Sequence, residues 1–287
     1  MKDGAASSGM DSKGSHSPQP GTVDRQLLQT YARSFGLQQR VKYPLLDGLE
    51  AGDLRTVLAA SRQMRCQAGS VISSQGEPAD RVFLLVRGRA RFFMLTPEGE
   101  KVILMWLPEG HAFGGGTFSP DPSFYLVSTE AVRDSLVLAW EKSTFLSLAR
   151  QFPIILENCL FGAFQYLSFY VATHLALITN NAMQRLAEVL YHLALGIGHE
   201  SAGGIEVDVT NEELSQAANV TPFTTSRQLN RWRREGILTK RRGKIVLLKP
   251  HRLFGLEAPS KYMLNPAYWW LKQIPATSEP QNRSKAS

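Results

Sequence analysis

Cysteine is scarce in this chain: two residues in 287, Cys66 and Cys159, far apart in sequence. That excludes a disulfide framework, and also the four-thiolate cluster of an iron–sulfur centre or a structural zinc site. No Lys or Arg occurs between Lys101 and Arg133, so this stretch has no cation to offer a buried anion. The nucleophile elbow, the P-loop lysine and the metal-spaced histidine pair are missing as well, and the chain does not read as an enzyme. Residues 1–17 hold no apolar run, so a cytoplasmic protein without a secretory signal is expected. No repeat of fixed period is visible.

What is present is an ordinary globular balance, 43% hydrophobic and 20% charged, with a net charge of +7. The length suggests two domains plus tails. Residues 1–24 are rich in Gly, Ser and Pro and poor in large apolar side chains. They cannot bury enough surface to offset chain entropy and read as a disordered tail. Residues 69–140 read as short strands separated by Gly and Pro turns, which argues an antiparallel barrel or sandwich. With its approaches, this barrel occupies 25–152, and a short helix at 141–151 closes it.

The period then changes. Leu160, Phe164, Leu167, Val171, His174 and Ile178 recur at alternating spacings of 4 and 3, the seam of a helix that wants a partner helix. Phe161, Phe169, Tyr170, Leu175 and Leu177 make its other faces apolar too, so it should be covered nearly all round. A membrane span is the competing reading of 153–180. Gln165, Ser168, Thr173 and His174 interrupt it and no basic anchors flank it, so a dimerisation helix, with no membrane, is expected.

A further amphipathic helix at 181–195 is followed by a flexible break at 196–204 and a strand at 205–209. Thr210-Asn211-Glu212-Glu213 has the form of a capping box. Asn219-Val220 reads as a tight turn. Thr221-Pro222 then opens a second helix, with a capping hydroxyl and a proline at its first position. Leu229 and Trp232 face inward, with Thr224, Arg227 and Arg231 on another side. Glu235-Gly236 ends the helix, and strand, basic turn and strand follow. Helix, turn, helix and hairpin make a winged helix-turn-helix over 181–256. From 221 to 249 there are nine basic residues against one acid, an excess larger than the net charge of the whole chain. This is the electrostatic footprint expected for duplex DNA. Residues 257–287, with Trp269, Trp270 and Lys272, form a C-terminal extension.

The fold class expected is α+β, and the order of parts resembles the catabolite activator (Crp/Fnr) family of bacterial transcription regulators. The residues that carry the resemblance are Gln75-Gly76-Glu77-Pro78, Val86-Arg87-Gly88-Arg89-Ala90, Pro108-Glu109-Gly110-His111-Ala112-Phe113-Gly114 and Val220-Thr221-Pro222-Phe223-Thr224-Thr225-Ser226-Arg227. The resemblance implies a cyclic-nucleotide-binding-like barrel (a double-stranded β-helix), a long dimerisation helix and a winged helix. It also implies a homodimer on a near-palindromic site, with RNA polymerase as a candidate further partner.

By resemblance, Arg227 reaches a base edge from the recognition helix, while Pro222-Phe223 replace the family's Arg-Glu pair. The DNA-facing set is Thr210, Thr221, Pro222, Phe223, Thr224, Arg227 and Arg231, with Lys240, Arg241, Arg242 and Lys244 of the wing meeting phosphates. Nucleotide-binding members hold the ribose with a Glu and the cyclic phosphate with an Arg. Gly115 stands at the Glu position, and the Arg position falls near Phe124-Tyr125. An effector other than cyclic AMP, or none, is therefore expected, in a pocket of Phe113, Gly114, Gly115, Phe124, Tyr125, Tyr170, Val171 and His174. No cofactor or metal is predicted. A haem sensor of the same fold is the alternative, with His111 or His174 as axial ligand, and Cys66 is a candidate redox switch. Another alternative is an effector-binding module that docks a protein partner instead of DNA.

Overall fold

The computed structural model describes residues 42–201, 203–241 and 243–254. The expected tail at 1–24, residues 25–41 of the sensor, the C-terminal extension and Arg242 lie outside the described residues.

After a 3-10 turn at Pro44–Leu46 and helix α1 (Ala51–Ala59), eight strands follow: β1 (Arg62–Cys66), β2 (Val71–Ser73), β3 (Arg81–Arg87), β4 (Ala90–Leu95), β5 (Lys101–Leu107), β6 (Ala112–Phe113), β7 (Ser128–Ala131) and β8 (Ser135–Glu141). They form two four-stranded antiparallel sheets, ordered β1-β8-β3-β6 and β2-β7-β4-β5. β3 is nearly continuously apolar because both of its faces are covered. Phe83 and Leu85 enter the barrel interior, while Val82, Leu84 and Val86 join a second core with Trp140, α1 and the helix α2 (Lys142–Gln151). The period of two along a strand sends alternate residues to different cores.

The long helix α3 (Pro153–Thr179) starts on a proline at its first turn, where the missing N–H has no intrahelical partner to lose. Ile155 is buried, the Asn158 amide donates to Leu45 O and Asp47 O, and the Tyr166 hydroxyl donates to Ala112 O at 2.7 Å. Length and composition alone would let α3 cross a bilayer, yet these bonds dock one side of it on the barrel. The opposite side is open in the single chain. Leu160, Phe164, Leu167, Val171 and Ile178 are exposed together, so the helix is covered on one side and not all round.

Helix α4 (Ala182–Ile197) opens with a capping box between Asn181 and Gln184. It is followed by β9 (His199–Ser201), β10 (Gly204–Asp208), α5 (Asn211–Ala217), α6 (Pro222–Arg234), β11 (Leu238–Arg241) and β12 (Lys244–Leu247). The expected flexible break at 196–204 is corrected here: Gly196 and Ile197 finish α4, and His199–Ser201 pair with β10. The wing sheet is consequently four-stranded, ordered β11-β12-β10-β9. Its core joins Leu190, Val207, Leu214, Leu229, Trp232 and Leu247, and Trp106 of the barrel packs against it.

Candidate nucleic-acid interface and sensor cleft

Local chemistry sets the two helices of the helix-turn-helix. Thr210 accepts from the Glu213 N–H, and the Glu213 carboxylate accepts from the Thr210 N–H at 2.8 Å, the reciprocal capping box. Asn219 turns the chain with φ of 48°, a left-handed conformation that Asn tolerates. The Thr221 hydroxyl then accepts from Thr224 N–H, and Pro222 occupies the first position of α6. Thr225, Leu229 and Trp232 turn inward. Phe223, 74% exposed, and Arg227 stand on the outer side with the guanidinium 5.9 Å from the ring centre. Thr224 is half-buried with its hydroxyl on Thr221, and Arg231 is paired with Glu235 at 2.8 Å.

The wing cations are less free than their sequence suggests. Lys240 is half-buried, and burial, then Arg233, pushes its amine below the usual lysine range. Lys244 lies 2.5 Å from Glu206 and 3.5 Å from Asp208, and Arg241 lies 4.0 Å from Glu206. The basic excess counted from 221 to 249 omits both of these acids, because they come from β10.

A cleft of about 1560 Å³ runs between the barrel, α3 and α4. Of the expected pocket residues, Phe113, Gly114, Gly115, Tyr125 and Tyr170 line it. Phe124, Val171 and His174 do not, which corrects that expectation. Phe124 bridges to Pro78 and turns outward, while Val171 and His174 fall on the open seam of α3, away from its docked side. In the single chain His174 stands outside the cleft, whereas His111 lines it. Sequence reasoning missed Phe92, Tyr166 and His192. Tyr166 is the one with a signal, since it lies on the helix face opposite the seam.

The glycine run divides in two. A Cβ at Gly114 would lie 2.5 Å from Arg81 O, with φ at +92°, and one at Gly116 would lie 2.3 Å from Phe124 O. Both are packing glycines. Gly115 faces open space, so nothing in the fold forbids a side chain there. The hydroxyls of Ser73 and Thr129 bond each other at 3.0 Å, and that of Tyr125 accepts from Arg81 N–H. Burial pushes the Tyr125 hydroxyl up to about 12.

Four cations line the cleft, Lys42, Arg89, Arg133 and Arg185; of these Arg89 and Arg185 are bound to backbone carbonyls and Arg133 to Asp208. Arg89 is 5% exposed and donates to Asp208 O and Ile197 O. It thus satisfies the end of α4 from the barrel, and burial lowers its guanidinium to about 10. Cys66 and Cys159 are held as thiols, both pushed up by burial, which is unfavourable for a reactive redox switch. Among the described residues no group of three His, Cys, Asp or Glu is placed to hold a metal ion.

Comparison with known proteins agrees with this geometry. Residues 63–152 match the cyclic nucleotide-binding domain, and residues 184–255 match the Crp-like helix-turn-helix domain. The chain is 22% identical over 207 residues to the CRP-like cAMP-activated global transcriptional regulator of Mycobacterium tuberculosis, covering 71% of this chain and 91% of that protein. FixK2 from Bradyrhizobium japonicum has the same fold, with TM-score 0.60 and 22% identity, over 69% of this chain and 98% of that one. A CooA mutant from Carboxydothermus hydrogenoformans is similar at TM-score 0.59 and 22% identity, over 76% and 96%. With a cyclic-nucleotide-binding-like barrel joined by a long helix to a winged helix-turn-helix, the chain belongs to the Crp/Fnr family of DNA-binding transcription regulators.

Proposed function

We propose that the chain works as a cytoplasmic homodimer that seats two α6 helices in successive major grooves of a near-palindromic site, and that its barrel answers to an effector other than cyclic AMP. The open seam of α3 supports the dimer: five large apolar side chains at heptad spacing are exposed along one face. Pairing two such helices buries them and sets the recognition helices one turn of DNA apart, about 34 Å. Arg227 reads a base edge, Phe223 offers apolar contact to a thymine methyl, and RNA polymerase is a partner of the assembled complex.

Gly115 is the observation that carries the effector reading. The M. tuberculosis relative is named as cAMP-activated, and by resemblance a Glu would stand here to hold a ribose. This chain has space instead, and no cation between Lys101 and Arg133 to meet a cyclic phosphate. An anion buried without a cationic hydrogen-bond donor is strongly disfavoured. The aromatic lining of Phe92, Phe113, Tyr166 and Tyr170 suits an uncharged, largely apolar compound.

Selection of duplexes from a random pool by the full chain, with and without cyclic AMP, tests both parts. The expected product is a two-fold site with half-sites one turn apart, enriched equally in both arms. Enrichment that depends on cyclic AMP overturns the effector reading, and a single half-site overturns the dimer.

A further inference from the structure

Strand pairing sets the wing's cations against acids that precede them by nearly forty residues. β10 and β12 pair so that Asp208 stands opposite Lys244 and Glu206 opposite Val246, and β11 places Arg241 opposite Lys244. Side chains alternate along a strand, so Glu206, Asp208, Lys244 and Arg241 share one face of the sheet. Glu206 is 8% exposed. One of its oxygens accepts from Lys244 at 2.5 Å and lies 3.2 Å from His199 Nε2, and the other lies 4.0 Å from the Arg241 guanidinium. The hydrogen bond from Lys244 holds its carboxyl below the usual carboxylate range. Asp208 is shared with Arg133 of the barrel, which leaves Glu206 the closer partner of Lys244.

A carboxylate that accepts from a lysine and faces an arginine offers the oxygens that a DNA phosphate would offer. We propose that Glu206 is a built-in substitute for a backbone phosphate, holding Lys244 and Arg241 away from the duplex and so lowering the wing's non-specific affinity. The proposal rests on the reading that the winged helix binds duplex DNA. Phosphate contacts carry no sequence information, so withholding one or two of them weakens binding to every duplex and flattens its salt dependence. Glu206 then sets the strength of the wing's grip on the duplex without touching it.

The test titrates the full chain, wild type, Glu206→Gln, Lys244→Gln and the double variant, with a duplex of arbitrary sequence over a range of salt. Glu206→Gln is expected to bind more tightly at low salt, with log K against log salt steeper by about 0.9 for each phosphate gained. Lys244→Gln should then cost more affinity in the Glu206→Gln background than in the wild type, the non-additivity of a coupled pair. Glu200→Gln changes the charge equally from the exposed part of β9 and should give a smaller gain. In the absence of DNA, acylation read by peptide mass spectrometry should find Lys244 slower than the exposed Lys249 in wild type and faster in Glu206→Gln. Should Glu206→Gln fail to fold, Glu206→Asp, which keeps the charge and withdraws it from Lys244, takes its place with the same expectations. Equal gains from Glu206→Gln and Glu200→Gln, or additive effects of Glu206→Gln and Lys244→Gln, overturn the proposal, as does equal acylation of Lys244 and Lys249 in the wild type. A wild-type chain that ignores the duplex at every salt concentration overturns the DNA reading and the role of Glu206 with it. Protection of Lys244 in the acylation arm then shows that the pairing itself is intact.

Discussion

Arg227 owes its position to its neighbours in the chain. Thr221 and Pro222 start α6, Leu229 and Trp232 fix its inward side, and Arg227 is left exposed one turn from Phe223. Arg to guanine is the commonest specific contact in a major groove, so Arg227→Ala should weaken binding to the selected site by about 1–3 kcal/mol. Binding to arbitrary duplex should change less, as measured by fluorescence anisotropy. Equal losses on both duplexes would assign Arg227 to the backbone. His192 makes a different kind of prediction. Burial pushes its imidazole down to about 4 from an ordinary 6.5, so between those values the unfolded chain binds a proton that the folded chain does not. Its contribution to stability is complete above pH 6.5 and declines as the pH falls toward 4. Thermal melting should show a drop from pH 7 to pH 5 that is smaller in His192→Gln. The capping residues Asn181, Thr210 and Thr221 are legible in sequence because a cap is completed within three residues. His192 gives no such signal, since its burial depends on the cleft.

At the scale of elements, α3 joins two surfaces with different fates. Its Ile155–Tyr166 side is tied to the barrel, and its seam faces solvent in one chain. Leu167→Glu places a charge in the middle of that seam and leaves the barrel contacts alone. Sedimentation should find a monomer in the variant and a dimer in the wild type, with melting of the barrel core unchanged. A dimeric variant would move the interface elsewhere. The seam was readable because its spacing repeats over five turns. β1 was not, because Arg62-Gln63-Met64-Arg65-Cys66 alternates weakly and gains its place only by pairing with β8. β9 was hidden for a similar reason: its three residues are held by β10 across Gly203, where φ is +113°. Glycines there looked like a break when they form a turn. In the same way Gly114-Gly115-Gly116 looked uniform in sequence, whereas close backbone approach demands two of the three glycines.

For the whole molecule, the positive excess of the C-terminal module governs association. With ~6–10 phosphate contacts across a dimer, affinity should fall roughly 10³–10⁵-fold between 50 and 200 mM salt. Because Lys244 and Arg231 are already paired within the chain, the slope should lie toward the lower end of that range. A flat salt response would contradict the interface altogether.

The order of strands, long helix and winged helix, the helix caps, the seam of α3 and the absence of a cation near Gly115 were all present in the linear chain. Each is a pattern of period 2, 3.5 or 3.6, a cap, or a count, and each is complete within one element. The pairing of Lys244 with Glu206, the grip of Arg89 on Ile197 and Asp208, and the outward turn of Phe124 were decided only when distant segments met. The Lys244 contact spans 38 residues, and those of Arg89 span 108 and 119. Electrostatic neutralisation and cavity shape depend on separations in space, and folding brings together charges that no local pattern links.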